Sequence, residues 1–381
     1  ATCRVNGRII NHAEPEDFLL TSGANLIQNE NVVNEGAMTI LRESQPMLRL
    51  DYTLWSSPVQ NQNLFGFSPN TVNGVTNFPG STARIYVYDG ESGYVNPVPF
   101  NAESVMNQGV GYLFRSPNNW SSTVETPYLG VFTGVPNNGT VIVNTVANNY
   151  TSVGNPYPSN INLDSFFAAN PGVSSLYLWN NNHNAGNNYA TCSRFLGCIA
   201  AFGGGPMPNG IISVGQGFIV GTSSSTINFD NSMRVADEAA FFKVDENENH
   251  RLWLNFSTAA GQGFNQILIG YIPGATNGID HQIDALLFGY SGSAIYSTIE
   301  GGKYVIQGRA LPFLTTDVVP LGIKTITAGD FKIKLANAVG IFAEGQPIYL
   351  HDKYLNLIHN LSESDYIFWA VVGEFNDRFD I

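Results

Sequence analysis

Charge is what this chain has least of: Asp, Glu, Lys and Arg make up 12% of its 381 residues, about half the ordinary share of roughly 25%. Its polar surface therefore has to come from Asn, Ser, Thr and Gly. Acids lead bases 30 to 17, a formal charge of −13, and no basic stripe is present to neutralise phosphates. Nucleic acid is thus not an expected partner. Long apolar runs are also missing. Each is cut by Gly, Pro or Asn well short of the roughly 20 residues a membrane helix needs, so no membrane insertion is expected. Helical periodicity is scarce, and the best candidate is the stretch 162–169, where Asn162 or Asp164 can cap a short turn carrying Phe166 and Phe167.

The local signatures of catalysis are absent too. There is no Gly-x-Ser-x-Gly elbow, His-Glu-x-x-His zinc helix, phosphate loop or dinucleotide fingerprint. His12, His183, His250, His281, His351 and His359 are scattered, so a triad would have to be assembled by the fold. The expectation is a protein that is not an enzyme and holds no cofactor. Cysteines number three. Cys192 and Cys198 lie close together in a Gly/Asn-rich stretch, where a small disulfide loop would suit an oxidising compartment. With only His183 nearby they match no standard zinc spacing. Cys3 is left over. The opening Ala1-Thr2-Cys3-Arg4 has neither an initiating Met nor a signal peptide and reads as a processed end.

What is abundant is the short strand between turn formers. The stretches 83–88 (Ala-Arg-Ile-Tyr-Val-Tyr), 140–143, 176–179 and 217–220 are separated by Asp89-Gly90, Pro136-Asn137-Asn138-Gly139 and Asn155-Pro156-Tyr157-Pro158. Pro fixes φ, while Asn and Gly accept positive φ. The pattern predicts an all-β chain of tandem β-sandwich or jelly-roll-like domains. Length alone suggests two or three domains. Charge concentrates only at 237–250, in Glu238, Lys243, Asp245, Glu246 and Glu248, which reads as a linker. The expected divisions are 1–45, 46–240 and 249–381. The first resembles the last rungs of a stacked β region, or β-solenoid remnant, and the last is a β-sandwich opened by the alternating strand 251–256.

Five phrases resemble a module of large secreted proteins of Bacteroidetes, particularly gliding flavobacteria, exported by the type IX secretion system. They are 50–59 (Leu-Asp-Tyr-Thr-Leu-Trp-Ser-Ser-Pro-Val), 153–159 (Val-Gly-Asn-Pro-Tyr-Pro-Ser), 215–220 (Gly-Gln-Gly-Phe-Ile-Val), 229–234 (Phe-Asp-Asn-Ser-Met-Arg) and 307–313 (Gln-Gly-Arg-Ala-Leu-Pro-Phe). They span most of the chain, from about Gly23 to Phe379. The resemblance implies a secreted or outer-surface cargo fragment, and a translocon partner during export that reads a sorting domain outside this chain. It implies no catalytic activity, since the module accompanies many kinds of passenger. The same phrases also have a purely structural reading, as rigid Pro-rich turns and close backbone approaches.

Three classes of function follow. The first is a structural or adhesive module. The second is a carbohydrate-binding module, for which Trp120 and Trp179, each beside Asn residues, are the stacking candidates for surface glycans. The third is an extracellular hydrolase. One acidic pair, Asp280 and Asp284, sits in a Gly/Asn loop and has two readings: hard ligands for Ca²⁺, or caps on backbone N–H groups.

Overall fold

Why the strands alternate as they do is plain in the stretch His250–Thr258. Leu252, Leu254 and Phe256 are buried on one face while on the other Asn255 is exposed and Trp253 is covered where its Nε1 donates to the Cys198 carbonyl, so the two-residue period of a sheet shows except where the outer face is covered. The computed structural model describes residues 1–180, 189–201, 205–236 and 249–381, and among these strands dominate so thoroughly that the protein is all-β. It divides into two compact units.

The first unit comprises Ala1–Val173 and Asn209–Phe241. Its principal sheet runs in the order Gly217–Thr222, Asn149–Gly154, Ile85–Asp89, Tyr112–Arg115, Tyr52–Trp55, with Gly93–Val95 as a short hairpin partner of Ile85–Asp89. A second sheet pairs Leu19–Leu20, Met38–Met47 and Thr126–Gly134. The core between them holds Trp55, Phe67, Phe114 and Phe132. Phe67 stacks on Phe132 at 4.6 Å and meets Trp55 edge-on at 5.2 Å, so ring geometry as well as area stabilises it. Residues 1–45 belong to this unit and not to a separate one. They do contain parallel pairings, Thr2–Val5 with Asn25–Gln28 and Leu19–Leu20 with Met38–Met47. The short helix Leu163–Ala169 is capped by Asn162, whose side chain accepts from Ser165 N, and it buries Phe166 and Phe167.

Two of the glycine phrases owe their residues to close approach. A Cβ on Gly154 would lie 2.3 Å from the Ser56 Cβ, and one on Gly217 would lie 3.0 Å from the Trp55 carbonyl oxygen. The buried polar side chains described in this unit are amides and hydroxyls in nearly equal number. Asn155 donates to the Ser159 carbonyl at 2.7 Å, Asn137 to the Pro156 carbonyl at 2.9 Å, and Gln28 and Asn34 bond each other at 2.8 Å. Among the described residues of this unit the deeply buried cation is Arg234, the last residue of the phrase 229–234. It lies over the Tyr157 ring at 4.9 Å and donates to Ser159 Oγ, Asn138 Oδ1, Asn231 Oδ1 and the Leu26 carbonyl. Two distant phrases of the sequence therefore meet in one neutral cage around a cation.

The second unit comprises Ser174–Pro208 and Phe242–Ile381. Its main sheet has eleven strands in the order Leu357–Asn360, Tyr349–Asp352, Gly373–Asp380, Pro320–Thr325, Ala294–Ile299, Gly302–Arg309, Gly263–Tyr271, His250–Thr258, Gly329–Val339, Tyr366–Ala370, with Ala285–Leu286 beside Gly302–Arg309. The sheet curls on itself, since Phe368 at one end lies 4.8 Å from Phe379 near the other. Its inner face is filled by Phe256, Phe331, Phe368 and Phe379 among many aliphatics. Assignment of 174–208 to this unit differs from the division at 46–240 expected from sequence. The reason is packing: Leu196 and Ile199 join the core of the second unit, Arg251 donates to the Leu196 carbonyl at 3.0 Å, and Trp253 Nε1 donates to the Cys198 carbonyl at 3.1 Å. The chain passes between the units three times, after Val173, Pro208 and Phe241, and only the last crossing falls in the charged stretch read as a linker, of which 237–248 lie outside the described residues.

Two buried ion pairs mark this unit. Asp352, fully buried, takes both Arg378 Nη2 at 2.8 Å and the Tyr366 hydroxyl at 2.9 Å. Asp317 takes Arg309 Nη2 at 2.5 Å and the Tyr271 hydroxyl at 2.8 Å. Arg309 belongs to the phrase 307–313, so that phrase also serves a buried polar lock.

Candidate functional site

The sequence-derived candidates separate into four places. Cys192 and Cys198 face each other across the hairpin formed by Tyr189–Ser193 and Gly197–Ile199 and are joined as a disulfide. Cys3 is a free, exposed thiol. Asp280 and Asp284 are adjacent but spend their oxygens on the chain itself. Asp280 accepts from Thr276 N at 2.6 Å and Thr276 Oγ1 at 3.0 Å, while Asp284 accepts from Asp280 N and Gly308 N, each at 2.7 Å. Burial pushes the Asp284 carboxyl up to about 6, against the pull of those two N–H donors. The pair thus caps a turn and clamps a strand, well short of the six to eight oxygens that calcium takes. Among the described residues no three of His, Cys, Asp and Glu converge.

The two tryptophan candidates are half-buried. Trp120 Nε1 donates to the Thr126 carbonyl of its own loop at 3.1 Å, and its ring leans on Tyr128 at 5.9 Å. Trp179 meets Tyr189 edge-on at 5.2 Å. The Asn-rich residues 181–188 that follow it, with His183, lie outside the described residues.

A different constellation gathers four tyrosines of the same intermediate exposure as the two tryptophans. In the strand Ile85–Asp89, alternation sends Ile85 and Val87 to the core and turns Arg84, Tyr86 and Tyr88 to the opposite face. Pairing then builds a platform there. Tyr88 faces Tyr94 across the hairpin, with ring centroids 5.0 Å apart and nearly perpendicular planes. Tyr86 lies 6.3 Å from Tyr94 and 6.3 Å from Tyr52, and Tyr52 is the register partner of Arg115. All four tyrosines are half-exposed. Hydrogen bonding to Tyr86 and attraction to Tyr52 and Tyr86 raise the Arg84 pKa. Burial lowers that of Arg115, and repulsion from Arg84 and Arg49 lowers it further against the pull of Tyr52 and Tyr86. The platform is thus a row of tyrosine rings with Arg84 and Arg115 beside it, Arg115 being repelled by both Arg84 and Arg49.

Sequence reading missed this group because strand aromatics are usually core. The signal that would have found it is the alternation Arg84, Tyr86, Tyr88, with no apolar residue on that side. A second concavity, of about 280 Å³, lies on the outer face of the second unit between Ala200, Asn255, Ser257, Gln266, Lys332 and Lys334. On the nearby edge strand Tyr366–Ala370, Ile367 and Trp369 are 57% and 58% exposed. The polar groups of that cleft largely answer one another: Gln266 donates to Asn255 at 2.7 Å and accepts from Ala200 N at 3.3 Å, and Lys332 pairs with Asp365 at 3.4 Å. The platform is therefore the better candidate for an external partner.

No match was found among curated proteins or solved structures. Residues 3–381 match a family described as a domain of unknown function, DUF8693, and the chain, both units included, belongs to that family.

Proposed function

We propose that the chain is a non-catalytic structural and adhesive module of an exported, surface-displayed protein of the type IX cargo kind, which attaches through the tyrosine platform of its first unit. The observation that carries this reading is the row Tyr52, Tyr86, Tyr94, Tyr88 with its flanking arginines. Tyr and Arg are the residues most enriched where proteins grip partners, because each offers a large rigid surface together with directional hydrogen bonds. The disulfide Cys192–Cys198 supports a location outside the reducing cytosol, and the phrase resemblance supports the export route.

The test is adhesion under flow. Beads coated with the intact chain should attach to hydrated polysaccharide films, and the double substitution Tyr86→Ala with Tyr94→Ala should reduce attachment about tenfold, as loss of central anchors does. Wild-type beads that attach no better than uncoated ones would leave the chain a spacer and remove the adhesive role.

A further inference from the structure

The charges of the platform narrow its ligand, an inference that rests on the adhesive reading above. Arg84 and Arg115 meet at the tyrosine row, Arg115 N donating to the Arg84 carbonyl at 3.0 Å and Arg115 standing in register with Tyr52, in a chain whose formal charge is −13, and Arg49 is near enough to repel Arg115. Burial weighs most on Arg115, Tyr52 pulls the other way, and Arg84 and then Arg49 repel it. Arg115 gives one hydrogen bond, Nη2 to Asn118 Oδ1 at 3.2 Å, and its Nε has no hydrogen-bond partner among the described residues. A carboxylate placed beside Arg84 and Arg115 would relieve that repulsion and offer Arg115 Nε an acceptor.

We infer that the platform binds a glycan carrying isolated carboxylates, of the uronic-acid type, with sugar rings laid on Tyr86, Tyr94 and Tyr88 and a carboxylate held between Arg84 and Arg49 or Arg115. A pyranose has an apolar C–H face and a rim of hydroxyls, which matches a row of phenol rings whose hydroxyls both donate and accept. The rings meet edge to face, so faces and hydroxyls alternate along the row. A carboxylate matches the planar fork of arginine. Nucleic acid shares part of this chemistry but brings a charge at every nucleotide, and the acidic body of the chain opposes so dense a polyanion. Isolated carboxylates give the arginines their counter-charge without that repulsion.

The experiment titrates the full chain with a glucuronate-containing hexasaccharide, its carboxyl-reduced neutral counterpart and oligo-dT, read by calorimetry. The acidic hexasaccharide should bind at least about tenfold more tightly than the reduced one, the scale of one charge-assisted hydrogen bond pair. Arg84→Gln and Arg49→Gln should each weaken it about fivefold. Both side chains reach solvent, so neither change threatens folding. Equal affinity for the reduced sugar, equal or tighter binding of oligo-dT, or arginine variants that bind like wild type would each overturn the inference. If the hexasaccharide fails to bind while Tyr86→Ala with Tyr94→Ala still abolishes bead attachment, the ligand class is wrong and the adhesive surface stands.

Discussion

The two units bury an arginine in opposite ways. In the first, Arg234 is enclosed by neutral acceptors and a tyrosine face, with no carboxylate among its hydrogen-bond partners in the described residues. Burial lowers its pKa to about 10, against the pull of Tyr157, so it stays charged at neutral pH. In the second, Arg378 and Arg309 each face a carboxylate that also takes a tyrosine hydroxyl. The difference teaches where each unit is vulnerable. A neutral cage loses hydrogen bonds when broken, whereas an ion pair broken on one side leaves an uncompensated charge inside.

The largest expected effect follows directly. Asp352→Ala should destabilise the second unit by about 3–5 kcal/mol, because it strands the buried Arg378 guanidinium and the Tyr366 hydroxyl together. Arg234→Met should cost the first unit only about 2 kcal/mol, since the partners it releases are neutral. Hydrogen exchange followed by mass spectrometry assigns each loss to its unit. Comparable losses for the two substitutions would mean that the caged arginine is as dependent on its acceptors as the paired one is on its acid.

Acid separates the units next. Burial opposes ionisation of Asp352 and Asp317, but hydrogen bonds and charge from Arg378 and Tyr366, and from Arg309 and Tyr271, outweigh it and hold both carboxyls below the usual range. Stability from these two is present above about pH 4, the unfolded carboxylate value, and is lost as pH falls through their lowered folded values. Asp284 has the opposite sign. Its folded value is raised to about 6, so its contribution is complete below about pH 4 and lost as pH rises through 6. The second unit should therefore be most stable near pH 4 to 5 and should open before the first unit on further acidification. Exchange protection measured between pH 7 and 3 checks this. First-unit amides opening earlier would refute it.

Much of the architecture is legible in the sequence because the signals are local. The run 251–256 alternates within six residues, and Asn162 announces the helix it caps by chemistry that acts over three positions. The platform and the allegiance of 174–208 depend on pairings between distant segments. Tyr52 and Tyr86 become neighbours only because both of their strands flank Tyr112–Arg115, and nothing in the composition changes where the chain leaves the first unit near Val173. Trp369 was readable as part of a strand, but its outward side follows from Phe368 facing the core. The phrase 153–159 was readable as a rigid turn, yet its purpose together with 229–234, caging Arg234 against Tyr157, needs the fold.

The smallest effect should come from the disulfide, and it sharpens the comparison because only the second unit contains one among the described residues. The bond closes a short loop, sequence separation 6, and loop closure that short limits its entropic contribution to about 2 kcal/mol. The hairpin it closes nevertheless carries Leu196 and Ile199 into the core and supplies the carbonyls that Arg251 and Trp253 bond. Reduction loosens a lid over one end of the sheet without removing the sheet's own ladder. The second-unit Tm should therefore fall by about 4–8 °C under reducing conditions, with exchange rising first in 189–201 and then at Arg251 and Trp253. The first unit, whose only thiol is the exposed Cys3, should not respond. If reduction lowers both units equally, the hairpin supports more than the sheet it covers; if it lowers neither, Leu196 and Ile199 hold the lid by packing alone.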